Sequence, residues 1–250
     1  WRPEDGRYAG YRYGRTYLSQ TPRAEALGES LAILSGVTDE KRAKRVAQNH
    51  PVVDFGTPSF WPYIPGIPPY HNAGIWPFVT SYWTWASAAA DNTLGVEHGL
   101  ASIYRAAALF LTNKENMVAQ TGHFEGTQIN SDRQLWSVAG NLAMVYRVLF
   151  GMRFTPDGLR LDPFVPMPYS GTRTLEDVSY RDATFNLTMK GHGTRIVQVT
   201  LDGEALDEPV IPADLEGAHD VRIVLSGGVP DGEMNLVANR YTPPTPDVQL

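Results

Sequence analysis

Apolar residues recur at helical spacing in the first part of the chain and at alternating spacing in the rest. Ala24, Leu27, Leu31 and Leu34 stand three or four positions apart with Gly36 just beyond, so residues 24–34 read as an amphipathic helix stopped by a glycine. Residues 38–49 follow as a second helix. Thr38 is its expected cap, and Lys41, Arg42, Lys44 and Arg45 form a solvated face, with an anion-binding surface as the alternative. Residues 75–90 and 94–111 are apolar and Ala-rich, and Asp91-Asn92 between them predicts a helical hairpin. The strongest pattern spans residues 131–150, where Leu135, Val138, Ala139, Leu142, Val145, Tyr146 and Leu149 share one face. Ser131 or Asp132 is expected to cap this helix and Gly151 to end it.

Beyond Gly151 the period changes. Phe185, Leu187 and Met189 alternate with polar neighbours, as do Val197, Val199 and Leu201, and again Val221, Ile223 and Leu225; Asp202-Gly203 is a hairpin-turn signal. Short strands punctuated by Gly, Pro and Asp fit an antiparallel β-sandwich. The expected division is therefore a helical domain over residues 1–154, a β-sandwich over 155–241 and an extended or disordered tail over 242–250. No repeat at solenoid period and no low-complexity tract interrupts this order.

Between the second helix and the helical hairpin lies the most distinctive segment. Residues 51–85 place Phe60, Trp61, Tyr63, Tyr70, Trp76, Tyr82, Trp83 and Trp85 beside His71 and Asn72. Flat aromatic faces interleaved with short polar groups suit sugar rings, whose C–H faces stack while their hydroxyls take fixed hydrogen bonds; ordinary core packing is the competing reading. Asp54 in the same segment is either a hydroxyl acceptor or a turn former.

Composition excludes several other ligands. With 21 basic against 27 acidic residues and no Lys/Arg run, the chain is not expected to bind nucleic acid. Zero cysteines removes thiolate chemistry and leaves the compartment open, with a periplasmic or secreted setting favoured. No apolar run is long enough to span a bilayer. His50, His71, His98 and His123 are 21, 27 and 25 positions apart, without zinc-motif spacing, so neither a metal nor another cofactor is expected. There is no G-x-S-x-G elbow, P-loop or dinucleotide fingerprint.

Glu125 is the candidate general base. It lies between Gly122 and Gly126, just before the strongest helix, with His123, Gln128, Asn130 and Trp136 nearby in sequence; an ordinary loop glutamate is the alternative. Glu25 and Glu29 are spaced i, i+4, and like Asp91, Glu97 and Asp132 they read as caps or surface charges.

Four stretches, RAEALGESLAILSGV, PPYHNAGIWPFVTSYWTWASA, FEGTQINSDRQLWSVAGNLAMVYRVLFGM and GLRLDPFVPMPYSG, together resemble the C-terminal portion of the six-hairpin, (α/α)6-barrel glycoside hydrolases. That group includes α-L-rhamnosidases, debranching-type glucosidases, mannosylglycerate-hydrolase-like enzymes and related sugar phosphorylases. The resemblance implies an α+β multidomain chain, late barrel helices followed by a β-sandwich, in which Glu125 is the catalytic base. It implies a subsite wall around His71, Asn72 and Trp76, to which Trp61, Tyr70, His123 and Gln128 are added as substrate-binding candidates. Such a barrel needs twelve helices, and about five precede the strands here. The chain, which opens on Trp1, is therefore expected to be a fragment or subunit completed by a second polypeptide or an N-terminal fragment that carries the general acid. A phosphorylase would need a basic pocket where the loop offers only Arg133, and a noncatalytic carbohydrate-binding protein would need the aromatic loop alone.

Overall fold

A computed structural model describes residues 1–244. It is a mixed α and β chain of two units: Trp1–Met144 together with the segment from Asp231 onward, and Val145–Pro230.

The first unit is built on five helices, α1 (Ala26–Leu34), α2 (Glu40–Asn49), α3 (Pro77–Ala89), α4 (Thr93–Phe110) and α5 (Leu135–Ala143). They do not close a barrel. Helix α1 begins two residues later than its apolar spacing predicts, because Ala24–Glu25 pairs antiparallel with Phe60–Trp61. Glu25 then caps the helix, accepting from the N–H of Leu27 and Gly28 at 3.1 and 2.6 Å. Helix α2 is capped by Asp39, not Thr38, through a 2.8 Å bond from the Arg42 N–H, a role worth about 1 kcal/mol. Its buried face is Ala43, Val46 and Ala47, which pack with Ile33 and Trp83.

Helix α3 packs against the other four helices. It starts at Pro77, whose missing N–H costs nothing in the first turn, and it buries Val79, Trp83 and Ala86. Its approach to α4 depends on small residues, since a Cβ on Gly99 would overlap the Thr84 hydroxyl and one on Gly95 would sit 2.6 Å from that of Ser87. Asn92 caps α4, accepting from the Gly95 N–H, while its own amide donates to the carbonyls of Ala47 and Glu233.

The last helix departs most from expectation. Gln134 caps α5, with its Oε1 accepting from the N–H groups of Trp136 and Ser137 at 2.6 and 3.3 Å. Ser131 and Asp132 are engaged elsewhere, Ser131 with Glu115 and Asp132 with Lys114. After Ala143 the chain widens into a π-helical stretch, Met144–Leu149, and Gly151 follows with φ 62°.

Residues 231–244 return to the first unit. Asn235–Leu236 pairs parallel with Pro51–Val52. Asn239 accepts from the Tyr63 hydroxyl and the Gln120 amide at 3.0 and 2.8 Å and donates to the Ala119 carbonyl. The Tyr241 hydroxyl donates to the Ile67 carbonyl, and the Gly66 N–H to that of Thr242. Residues 231–241, expected in the β-sandwich, thus make these bonds to the helical unit. The expected tail from Thr242 falls mainly outside the described residues.

In the second unit a five-stranded sheet runs in the order Gly171–Tyr180, Ala183–Gly191, Gly217–Leu225, Ile196–Leu201, Glu204–Ala205. A three-stranded antiparallel sheet is formed by Val210–Pro212, Gly158–Leu161 and Met152–Phe154. Phe185, Leu187, Met189, Val221, Ile223 and Leu225 are buried, as strand alternation predicts. One feature departs from an antiparallel arrangement: Ala183–Gly191 and Gly217–Leu225 are parallel, because the later strand inserts between two earlier ones. Asp202-Gly203 forms the expected two-residue turn with φ 52° and 89°, but it joins Ile196–Leu201 to the short strand Glu204–Ala205.

Candidate functional site

The aromatic segment is a loop fastened from within. Asn72, buried, accepts from the Ile64 N–H at 2.7 Å and donates to the carbonyls of Ile64 and Ile67 at 3.0 and 2.8 Å. Its amide is therefore saturated by the loop's own backbone. Trp76 occupies the cap position of α3 and is only 5% exposed; its Nε1–H donates to the Tyr70 carbonyl at 2.9 Å. His71, exposed, stacks over Trp76 with centroids 4.8 Å apart and planes 6° apart. Tyr70 and Phe78 meet Trp76 edge-on, and Phe78 meets Trp136 edge-on at 4.8 Å. This aromatic series ends in solvent at Trp136, which is 59% exposed.

The loop carrying Glu125 is bonded directly to the aromatic loop. The Gln128 N–H donates to the Pro69 carbonyl at 2.7 Å, and the Gln128 side chain is exposed. The Tyr70 hydroxyl donates to Glu115 at 2.8 Å, and the Ser131 hydroxyl donates to the other Glu115 oxygen at 2.8 Å. Glu115 is buried and joins three segments of chain through these bonds. The acidic partner holds the Tyr70 hydroxyl above the ordinary phenol range, with burial adding to the effect.

Glu125 itself projects outward, its side chain 80% exposed and 3.9 Å from His123 Nδ1. The Glu125 N–H donates to that same His123 nitrogen at 3.1 Å, so Nδ1 is the accepting nitrogen of the ring in this geometry. Phe110 and Phe124 hold the His123 ring edge-on and stacked. Positive φ at Gly122 and Gly126, 62° and 97°, lets the chain turn sharply on both sides of Glu125. The expected site residues Tyr70, His71, Asn72, Trp76, His123, Glu125 and Gln128 thus lie on two mutually bonded loops. Trp61 packs in the cluster of Val53, Tyr63, Ile75 and Met117, while Trp76 and Tyr70 belong to another with Ala26 and Val79.

Glu25, Glu29 and Asp54 take other places in the first unit. Glu25 is a helix cap. Glu29 is buried, with Oε2 2.6 Å from His50 Nδ1 and Oε1 accepting from the Tyr8 N–H. Asp54 sits in the turn closed by reciprocal bonds between Val53 and Gly56. Glu115 is the residue that sequence reasoning missed. Between Lys114 and Asn116 in a short polar connection it carries no spacing signal, and only the fold brings Tyr70 and Ser131 to it. Among the described residues no cluster of three or more His, Cys, Asp or Glu forms a metal-holding group, and no helix is long and apolar enough to cross a membrane. The chain matches no family model and no curated protein.

Proposed function

We propose that this chain is the late part of a glycoside hydrolase of the six-hairpin (α/α)6-barrel kind, with its second unit as the associated β-sandwich and Glu125 as general base. The observation that carries the reading is a solvent-reaching carboxylate on a loop hydrogen-bonded to the aromatic loop, which presents His71 to solvent over the buried Trp76. In an inverting reaction Glu125 takes a proton from the attacking water while an acid on the opposite side of the anomeric carbon protonates the leaving oxygen, the two carboxyls being roughly 6.5–9.5 Å apart. Because Glu25 is a cap and Glu29 is buried against His50, the acid is assigned to another polypeptide segment that completes the barrel. Exposed apolar residues on α1 and α5, Leu31 at 46%, Leu135 at 78% and Leu142 at 52%, support a further helical partner there.

The test is hydrolysis of a panel of aryl glycosides by the completed enzyme. Glu125→Gln is expected to keep sugar binding and lower turnover at least about a hundredfold, the low end of what a positioned base contributes. Retention of more than a third of the wild-type rate overturns the assignment. A second reading, noncatalytic carbohydrate binding, is favoured by the exposure of Trp136 at the end of the aromatic series. It predicts saturable sugar binding with no release of reducing sugar.

A further inference from the structure

The second unit contains a cleft of about 440 Å³ that the proposed active site does not use. It lies between the strand Gly158–Leu161, the strand Ile196–Leu201 and the connection through Leu206 and Asp207. Its volume falls within the roughly 300–1,000 Å³ of small-molecule sites. Three features define its lining. First, the pairing between Ile196–Leu201 and Gly217–Leu225 shifts between Ile196 and Gln198, which leaves Val197 as an extra residue. Such a bulge re-aims a side chain, and Val197 is 52% exposed on the cleft wall where strict alternation would bury it with Val199. Second, Gln198 and Asp207 line the cleft with side chains that make no hydrogen bond or ion pair among the described residues. Third, the lining cation Arg160 is held by Glu208 at 3.0 Å, and Asp162 is held by Arg153 at 2.9 Å.

The consequence is a cleft with apolar contact from Val197 and Leu206, an unengaged amide and an unengaged carboxylate. Its cation is already neutralised. A flat C–H face can lie on Val197 and Leu206 while ring hydroxyls donate to Asp207 and exchange donor and acceptor roles with Gln198. An anionic ligand would face the unpaired Asp207 carboxylate, which disfavours uronates and phosphates. We infer that this cleft is an ancillary binding site for a neutral saccharide unit, separate from the loops around Glu125. The choice of saccharide as ligand rests on the carbohydrate reading of the first unit; the position and charge selectivity of the site do not.

The experiment is a titration of the isotopically labelled chain with methyl glycosides of glucose, mannose, galactose and rhamnose, followed by amide chemical shifts. Methyl glucuronide serves as the anionic control. At least one neutral glycoside is expected to shift residues 194–199 and 206–209 saturably, and the glucuronide is expected not to. Val197→Trp, which fills the cleft from an exposed position, and the double variant Gln198→Ala/Asp207→Ala should each weaken this response at least tenfold. Shifts at residues 71–76 and 123–128 should be untouched by these changes. No saturable shift in the cleft, or an undiminished response in both variants, overturns the proposal. Because the cleft response is read only on residues 194–199 and 206–209, a failed Glu125→Gln test and a failed cleft titration are distinguishable.

Discussion

Asn72 holds the proline-rich loop with three hydrogen bonds from one buried amide, and its chemistry makes the position intolerant of even an isosteric change. Asn72→Asp keeps the acceptor for the Ile64 N–H but turns the donor toward two carbonyls into a second acceptor. A buried carboxylate then faces two carbonyl oxygens, and the Ile64 and Ile67 carbonyls lose their donor and meet repulsion. Each such orphan costs about 1–3 kcal/mol, so a loss of at least about 2 kcal/mol is expected in urea or guanidinium unfolding. A loss below 1 kcal/mol would show that the loop does not depend on this amide. In the second unit, His219 and Asp202 form a pair whose pH response has a definite sign. Asp202 accepts from the Asp220 N–H at 2.8 Å and lies 2.7 Å from His219 Nδ1; these contacts lower the Asp202 pKa, while the Asp202 carboxylate, followed by the Glu216 carbonyl, raises that of His219. The histidine's contribution to stability is therefore fully present below its unfolded value, about 6.5, and is lost as pH rises through its folded value. The aspartate's contribution is present above its unfolded value, about 3.9, and is lost as pH falls through its folded value. An NMR titration of the His219 ring is expected to give a midpoint above 6.5 that falls in Asp202→Asn.

At the scale of elements, the contact between α3 and α4 is set by what glycine leaves out. A methyl group at Gly99 would gain about 1 kcal/mol in helix propensity. It would also overlap the Thr84 hydroxyl and come within 2.9 Å of the Thr84 Cβ. Thr84 is fully buried and bonded to the Thr80 carbonyl at 2.7 Å, so rotating its hydroxyl away leaves the Cβ clash in place. Overpacking of this kind costs about 1–3 kcal/mol, and Gly99→Ala is expected to destabilise the first unit on balance. An unchanged or higher melting temperature would refute that reading of the helix contact. The same elements show what the chain reveals by itself. Apolar spacing marked α1 and α5, the charged face α2, and the Ala-rich stretches around Asp91-Asn92 the hairpin of α3 and α4. Alternation marked Ala183–Gly191 and Gly217–Leu225, because burial of one face imposes a fixed spacing. In Ile196–Leu201, by contrast, only Val199 of the alternating set is buried, and the ten-residue strand Gly171–Tyr180 went unmarked. The starts of α1, α2, α3 and α5 were placed too early. Glu25, Asp39 and Gln134 took the caps, and nothing local distinguishes them from Ala24, Thr38 or Ser131 until the strand pairing of Ala24–Glu25 and the Ser131–Glu115 bond are known. The candidate site was legible as two aromatic and polar stretches. The Glu115 junction was not, since it joins segments 45 and 16 residues away, nor was the stacking of His71 on Trp76, since sequence alone does not show how that loop folds back on itself.

For the whole molecule, the segment after Asp231 is a structural part of the helical unit. It supplies the partners of Asn92, Gln120 and Tyr63 as well as a strand beside Pro51–Val52. Truncation after Pro230 removes these groups and leaves buried donors without acceptors. The first unit is expected to lose at least about 2 kcal/mol while the second keeps its own transition, which calorimetry would record as one shifted and one unshifted peak. Two unshifted peaks would show that the segment is dispensable.

That return of the chain also fixes an order of assembly during synthesis. The ribosome delivers the five helices first, yet Asn239 and Tyr241, which close the loop around Ile67 and Tyr63, emerge only after all of Val145–Pro230. At roughly 5–20 residues per second the helical unit waits on the order of ten seconds for its last pieces. The later-made strands thus have every residue they need before the earlier-made helices do.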